Sequence, residues 1–221
     1  MAAVAALVAE PARAAILDAL MDGRAHRASE LARRAGIAPS TASGHLARLL
    51  SGGLVLCDVQ GRERCYRLAS ASVAEALEAL ARLAPPARVR TLRAANRSDV
   101  IRTARTCYDH LAGQLGVGLT EALVQEGALV VRDASYELTA AGEKTLARLG
   151  VDVGAARARR RSFARACLDW SERRPHLAGA LGASLADALL ADGWVKRRPN
   201  DRGLSVTGEG TSGLRRLGVE L

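Results

Sequence analysis

Two pairs of residues in the second half of the chain could hold a soft metal ion. Cys107 and His110 stand three apart, and Cys167 and His176 nine apart. Thiolate and imidazole together suit zinc and similar divalent ions. The pairs lie in two copies of one sequence. Ala104-Arg-Thr-Cys107-Tyr-Asp109-His110-Leu-Ala-Gly113-Gln-Leu-Gly116 recurs as Ala164-Arg-Ala-Cys167-Leu-Asp169 and, after an insertion, His176-Leu-Ala-Gly179-Ala-Leu-Gly182. Pseudo-symmetric packing of two such repeats would bring four ligands together. The same residues admit two other readings. The cysteines can be small core hydrophobes with the histidines capping or hydrogen-bonded. Alternatively, an organic or anionic effector could rest against Trp170, with Arg173 and Arg174 as carboxylate or phosphate forks. Asp109 and Asp169 hold matching places in the copies and complete the candidate effector set.

The elements that would position these groups follow from the repeat. Leu119, Ala122, Leu123 and Gly127 match Leu185, Ala188, Leu189 and Gly193, and Leu138-Thr139 to Val151 matches Val206-Thr207 to Val219. Gly127 and Gly193 stop helices, Asp133–Ser135 and Pro199–Gly203 are turns, and Thr139 and Thr207 are helix N-caps. Each copy, about 99–151 and 160–221, reads as helix, helix, short hairpin, helix. Both are thus winged-helix-like. On this reading Cys107 and His110 share a helix with the stripe Ile101, Ala104, Tyr108, Leu111 and Leu115, and Asp109 points to the opposite flank. Arg157 to Arg161 form a basic helix or linker between the copies, read as a solvated face.

The first half carries a different chemistry. The chain has 221 residues and a net charge of +9, and residues 1–98 hold 14 arginines against 8 acidic residues, a net of +6, whereas 99–221 net +3. A basic surplus of this kind calls for a polyanionic partner and says nothing about fold. Pro85-Pro86 divides the chain, giving a domain at 1–84, a linker at 85–98 and a C-terminal domain at 99–221. Upstream, Pro11 to Met21 suits an amphipathic helix with Ala14, Leu17 and Met21 on one side. Ser29 reads as the N-cap of a short helix, Glu30 to Ala35, ended by Gly36. Pro39-Ser40-Thr41 opens the next, with Leu46, Leu49 and Leu50 buried. Two helices joined so closely are a helix-turn-helix. Leu54 to Leu68 folds as a hairpin around Gln60-Gly61-Arg62, a wing. A closing helix then repeats Val73, Leu77, Leu80 and Ala84, a stripe suited to pairing with its copy in a dimer.

The ordered set Glu10-Pro11, Arg13, Ile16-Leu17, Leu20, then Ser29-Glu30-Leu31-Ala32, then Pro39-Ser40-Thr41-Ala-Ser43-Gly-His45-Leu46, then Gly53-Leu54-Val55 and Gly61-Arg62 with Tyr66-Arg67-Leu68 resembles the arsenic-repressor-like (ArsR/SmtB) family of bacterial winged-helix regulators. The resemblance covers about residues 5–84. It implies a homodimeric DNA-binding regulator, most often a repressor, on an imperfect palindrome. Pro39, Ser40, Thr41, Ser43 and His45 would meet the major groove, and Arg62 and Arg64 would follow the backbone from the wing tip. Gly44 replaces the larger residue common there. The metal ligands usual in the family are missing, since 30–34 has no cysteine and 72–84 no histidine. Effector sensing therefore falls to the C-terminal part.

Other classes are disfavoured. The opening apolar run Met1 to Ala9 stops at Glu10, short of the roughly 20 residues of a membrane helix, so a cytoplasmic protein is expected. Four cysteines without Cys-x-x-Cys do not make a disulfide scaffold. Cys57 and Cys65 lie on opposite wing strands, facing each other or one residue out of register, as a redox pair or as small buried hydrophobes. Phosphate loops, His-Glu-x-x-His and nucleophile elbows are absent from the sequence, so no enzyme is expected. The competing classes are a constitutive architectural DNA binder and a protein-interaction module that uses the same fold without DNA. The expected fold is mainly α with small β-hairpin wings: a winged helix-turn-helix followed by two tandem winged-helix-like repeats.

Overall fold

The computed structural model describes residues 1–60, 63–84, 92–199 and 201–221. Arg62 and residues 85–91 of the expected linker lie outside the described residues. The chain forms two compact units, Met1–Ala81 with Asn200–Arg202 and Arg82–Pro199 with Gly203–Leu221.

In the first unit, α1 (Ala2–Val8) and α2 (Pro11–Leu20) meet at Glu10, whose carboxylate accepts from the N–H groups of Ala12 (3.1 Å) and Arg13 (2.9 Å). Pro11 supplies a fixed φ at the first helical position. The buried Arg13 guanidinium donates to the carbonyls of Leu7 (2.6 Å) and Ala6 (2.8 Å), which α1 itself leaves unmet. Ile16, Leu17 and Leu20 form the buried face of α2, while Ala14, expected on it, is exposed. Strand β1 (His26–Arg27) runs directly into α3 (Ala28–Ala35). Ser29 therefore lies inside the helix and does not cap it. Pairing with Cys65 on the wing holds Arg27 extended, so the helix starts as soon as the strand ends.

Gly36 ends α3 at φ +68, a left-handed conformation cheap only for glycine. Helix α4 (Pro39–Ser51) buries Ala42, Leu46 and Leu49; Leu50, expected beside them, is turned out, because its neighbour Leu49 already takes the inward position. Strands β2 (Val55–Gln60) and β3 (Glu63–Leu68) make the wing, with β1 on the outer edge of β3. Cys57 pairs with Tyr66 and Cys65 with Asp58, so the two thiols are one residue out of register and point to opposite faces. Both are free and half-buried. Helix α5 (Ala71–Leu83) buries Ala74 and Glu78; Val73 and Leu77 are half-covered and Leu80 is exposed.

In the second unit, α6 (Leu92–Thr103) takes up residues 92–98 of the expected linker, a run with neither proline nor glycine to stop it. The expected helix through Cys107 and His110 does not form. Arg105–Cys107 and His110–Ala112 are strands β4 and β5 of a hairpin, turned at Tyr108-Asp109 with Tyr108 at φ +61. Helix α7 (Gly113–Gln125), the hairpin β6 (Leu129–Arg132) and β7 (Ser135–Leu138), and α8 (Ala140–Arg148) follow. After α9 (Val153–Ala158) the same order returns: β8 (Arg165–Leu168), β9 (Pro175–Ala178), α10 (Gly179–Ala191), β10 (Val195–Arg197), β11 (Leu204–Val206) and α11 (Gly208–Arg216). Each half is thus hairpin, helix, hairpin, helix. This corrects the expected opening pair of helices.

The halves interlock through their hairpins. Strands β6-β7-β8-β9 form one sheet, in which Tyr136 N–H donates to Ala164 (3.2 Å). The other seam answers it, with Leu204 N–H donating to Ala104 (2.8 Å) and Arg105 bridging Gly203. One core joins both halves, including Leu115, Leu119 and Leu123 of α7 with Leu181, Leu185 and Leu189 of α10. Thr139 and Thr207 cap α8 and α11, their hydroxyls accepting from Gly142 (2.9 Å) and Gly210 (3.0 Å).

Candidate functional site

Helix α4 presents its first turns outward. Pro39, Ser40, Thr41 and Ser43 are exposed, and the Ser43 hydroxyl donates back to the Pro39 carbonyl at 3.0 Å. His45 does not share that face: its side chain is 15% exposed, with Nδ1 3.3 Å from Glu10 Oε2. It ties α4 to the start of α2 and leaves the exposed row. Arg48, which the sequence reading passed over, is exposed on α4 one turn beyond Gly44, where the i, i+4 spacing from Gly44 could have found it. On the wing, Arg64 is exposed and Arg62 lies outside the described residues.

A buried ionic knot ties α3 to the end of α2. Asp22, 2% exposed, sits between His26 Nε2 (2.8 Å), Arg24 Nη2 (3.1 Å) and Arg34 Nη1 (3.1 Å). Burial alone would raise the pKa of Asp22, but the hydrogen bond and charge of His26, aided by Arg24, bring it down to about 2. Arg34 also donates to the Ala19 carbonyl at 3.2 Å, joining α3 to α2.

The second site lies within the C-terminal unit. Cys107 and His110 are cross-strand partners in one hairpin, and Cys167 and His176 are cross-strand partners in the other. The ligand atoms of all four lie within 4.8 Å of one another, and all four residues are buried. The two Nε2 atoms face each other at 3.1 Å. Each ring turns its other nitrogen to a carboxylate of its own half: His110 Nδ1 is 3.2 Å from Asp109 Oδ1, and His176 Nδ1 is 3.2 Å from Asp169 Oδ2. Asp109 therefore belongs to the same cluster as His110. The opposite flank expected from a helix does not exist in a hairpin.

Arg105 and Asp169 form a fully buried pair between the halves, Nη2 to Oδ1 2.8 Å and to Oδ2 2.9 Å. Asp169 also accepts from Gly113 N–H (2.8 Å), Ser171 N–H (2.9 Å) and the Ser171 hydroxyl (2.8 Å). Arg161, at the end of the basic run expected to be solvated, pairs with Asp109. Burial opposes ionisation of Asp169, yet His176 and Arg105 hold its pKa far below the carboxylate range. A hydrogen bond from Cys107 pulls the Cys167 thiol well down against burial, with His110 and His176 adding to it.

The expected anion fork is not assembled. Arg174 pairs with Glu121 at 2.8 Å, Arg173 is exposed, and Trp170 stacks under Arg105, whose guanidinium lies 4.9 Å from the ring centroid. The turn after Asp169 sends the three side chains different ways. This unit has two open cavities of about 540 and 400 Å³; Arg174 lines the second beside Glu121 and Glu172, and neither is lined by Trp170 or Arg173.

Helices α2 to α4 with the β2–β3 wing define a winged helix-turn-helix. A family model described as a helix-turn-helix domain matches residues 8–58. The HTH-type transcriptional regulator YdfF of Bacillus subtilis (strain 168) is 43% identical over 210 residues, covering 95% of this chain and 93% of that protein. The HTH-type transcriptional regulator CmtR of Mycobacterium tuberculosis is 40% identical over 70 residues, 32% of this chain and 58% of its own length. Among solved structures, a homodimeric winged helix-turn-helix domain from Mycobacterium bovis, described as a possible ArsR-family regulator, is 35% identical over 37% of this chain and 74% of its own, with a TM-score of 0.34. The chain belongs to the HTH-type transcriptional regulators, and its first unit is the DNA-binding domain.

Proposed function

We propose that this regulator is an ArsR/SmtB-type repressor. It binds an imperfect palindrome as a homodimer and is released by an effector taken up in its C-terminal unit. The observation that carries the reading is the exposed row Pro39, Ser40, Thr41 and Ser43 at the N-terminal end of α4, where amide dipoles and small hydroxyls meet base edges and phosphates. Arg64, with Arg62, supplies phosphate contacts from the wing. Dimerisation rests on α5, which leaves Leu80 and Leu83 exposed at 48% and 82%. Such a stripe on a terminal helix is costly in a monomer.

Two recognition helices would then meet half-sites roughly 34 Å apart. An effector that favours a different spacing lowers affinity only by its differential binding to the two shapes. The C-terminal unit reads as a tandem duplication, its matched caps, hairpins and helices supporting descent from one winged-helix-like element. The test is a binding comparison among variants. Ser43→Ala should change sequence preference, whereas Arg64→Ala should weaken specific and random DNA alike and lower the salt slope by about 1. Equal effects of both on both DNAs would favour an architectural binder.

A further inference from the structure

We propose that Cys107, His110, Cys167 and His176 are the four ligands of a closed, tetrahedral site for a zinc-class divalent ion, half of it built by each hairpin of the C-terminal unit. The donor set is two thiols and two imidazoles, buried, and converging within 4.8 Å. The ligand chemistry is that of structural and sensing zinc sites, which fill all four positions with protein and leave none for a substrate.

The stronger argument is the orientation of the rings. His110 Nδ1 is hydrogen-bonded to Asp109 at 3.2 Å, and His176 Nδ1 lies 3.2 Å from Asp169; a ring that turns its Nδ1 proton to its carboxylate offers a lone pair at Nε2. The two Nε2 atoms face each other across 3.1 Å. Two acceptor nitrogens at that distance repel unless a proton or a cation lies between them. Two nitrogens bound to one tetrahedral zinc, each at about 2.0 Å, would stand about 3.3 Å apart, so the observed separation is already close to that of a ligand edge. Carboxylate partners on both imidazoles are the usual second layer of a zinc site, and here they are themselves held, Asp169 by Arg105 and Asp109 by Arg161.

The backbone also makes room. Gly116 of α7 approaches His176, and Gly182 of α10 approaches His110; a Cβ would stand 3.6 Å and 3.4 Å from the respective histidine Cβ atoms, while colliding at 2.4 Å with the Leu111 or Leu177 carbonyl. Small residues here let each helix press the other half's histidine inward. On loading, two protons held among the thiols and imidazoles pass to solvent, both sulfurs bind as thiolates and both imidazoles neutral, and the dication is balanced by the two sulfurs. The ion would staple the halves together independently of any DNA.

Cobalt(II) and zinc titration of the full chain, purified with reductant and chelator, tests this directly. We expect one ion per chain by elemental analysis, a thiolate-to-cobalt charge-transfer band and the intense ligand-field bands of a tetrahedral ion. The Cys57→Ser/Cys65→Ser variant should bind identically, and Cys107→Ser/Cys167→Ser should lose the charge-transfer band. His110→Gln keeps both thiols and guards against misfolding of the double variant. In chains shown folded by circular dichroism it should weaken zinc at least tenfold and alter the ligand-field bands. Failure of the folded wild type to take up an ion, an octahedral cobalt spectrum, or undiminished binding by His110→Gln would overturn the proposal. None of these readouts depends on DNA binding, so the two readings fail separately.

Discussion

Arg105 has no exposed surface and no exposed partner: it lies between Asp169 and the Trp170 ring. Removing one member of a buried pair leaves the other charge uncompensated, so Arg105→Met should cost about 3–5 kcal/mol in denaturant unfolding. A cost below about 1 kcal/mol would show that Asp169 is satisfied without it. The ionic knot at Asp22 makes a prediction about pH. Its folded pKa, near 2, is below the ordinary 3.8, so its contribution is fully present above about pH 4 and is lost as pH falls toward 2. Asp22→Asn should therefore flatten that acid arm by about 2 kcal/mol, read from unfolding midpoints between pH 5 and 2. At this scale the four residues of the Cys/His cluster were legible through their place in the repeat. Arg105 was missed, because Arg102-Thr103-Ala104-Arg105-Thr106 reads as a polar stretch and only the packing of the two halves buries its guanidinium. His45 was assigned to the DNA face because composition cannot show that Glu10, 35 residues away, comes to lie beside it.

The elements were legible where local chemistry decides and illegible where tertiary contacts do. Thr139 and Thr207 cap α8 and α11 as their types and positions imply, and Thr207→Ala should cost about 1 kcal/mol by thermal or denaturant unfolding. The hairpin at Cys107 was illegible for a physical reason. Its turn is Tyr108-Asp109, with a tyrosine at φ +61 where a sequence reader looks for glycine or asparagine. Cys107 and His110, three apart, satisfy a helical period and a two-residue hairpin equally well. Pairing across the seam, Leu204 N–H to the Ala104 carbonyl and Arg105 with Gly203, holds this segment as a strand. Packing between the halves gives a further test. Gly182→Ala places a Cβ 2.4 Å from the Leu177 carbonyl, which strand β9 cannot readily yield. A loss of about 1–3 kcal/mol is expected, against little change for Gly208→Ala, where a Cβ meets open space.

For the whole molecule, the arginine surplus and the ordered motifs of the first half pointed to a DNA-binding regulator, and the relationship to YdfF extends over nearly the full chain. If the proposed homodimer pairs through α5, Leu80→Glu should give a monomer in sedimentation and weaken operator binding at least tenfold, since two half-sites would no longer be held by one particle. The most direct measurement is the affinity of the purified protein for its own upstream DNA against random DNA of equal length, in matched salt. The account predicts selective binding, lost on substitution of Ser40 and Thr41 together. Equal affinity for both DNAs, falling steeply with salt and indifferent to Ser40 and Thr41, would contradict it.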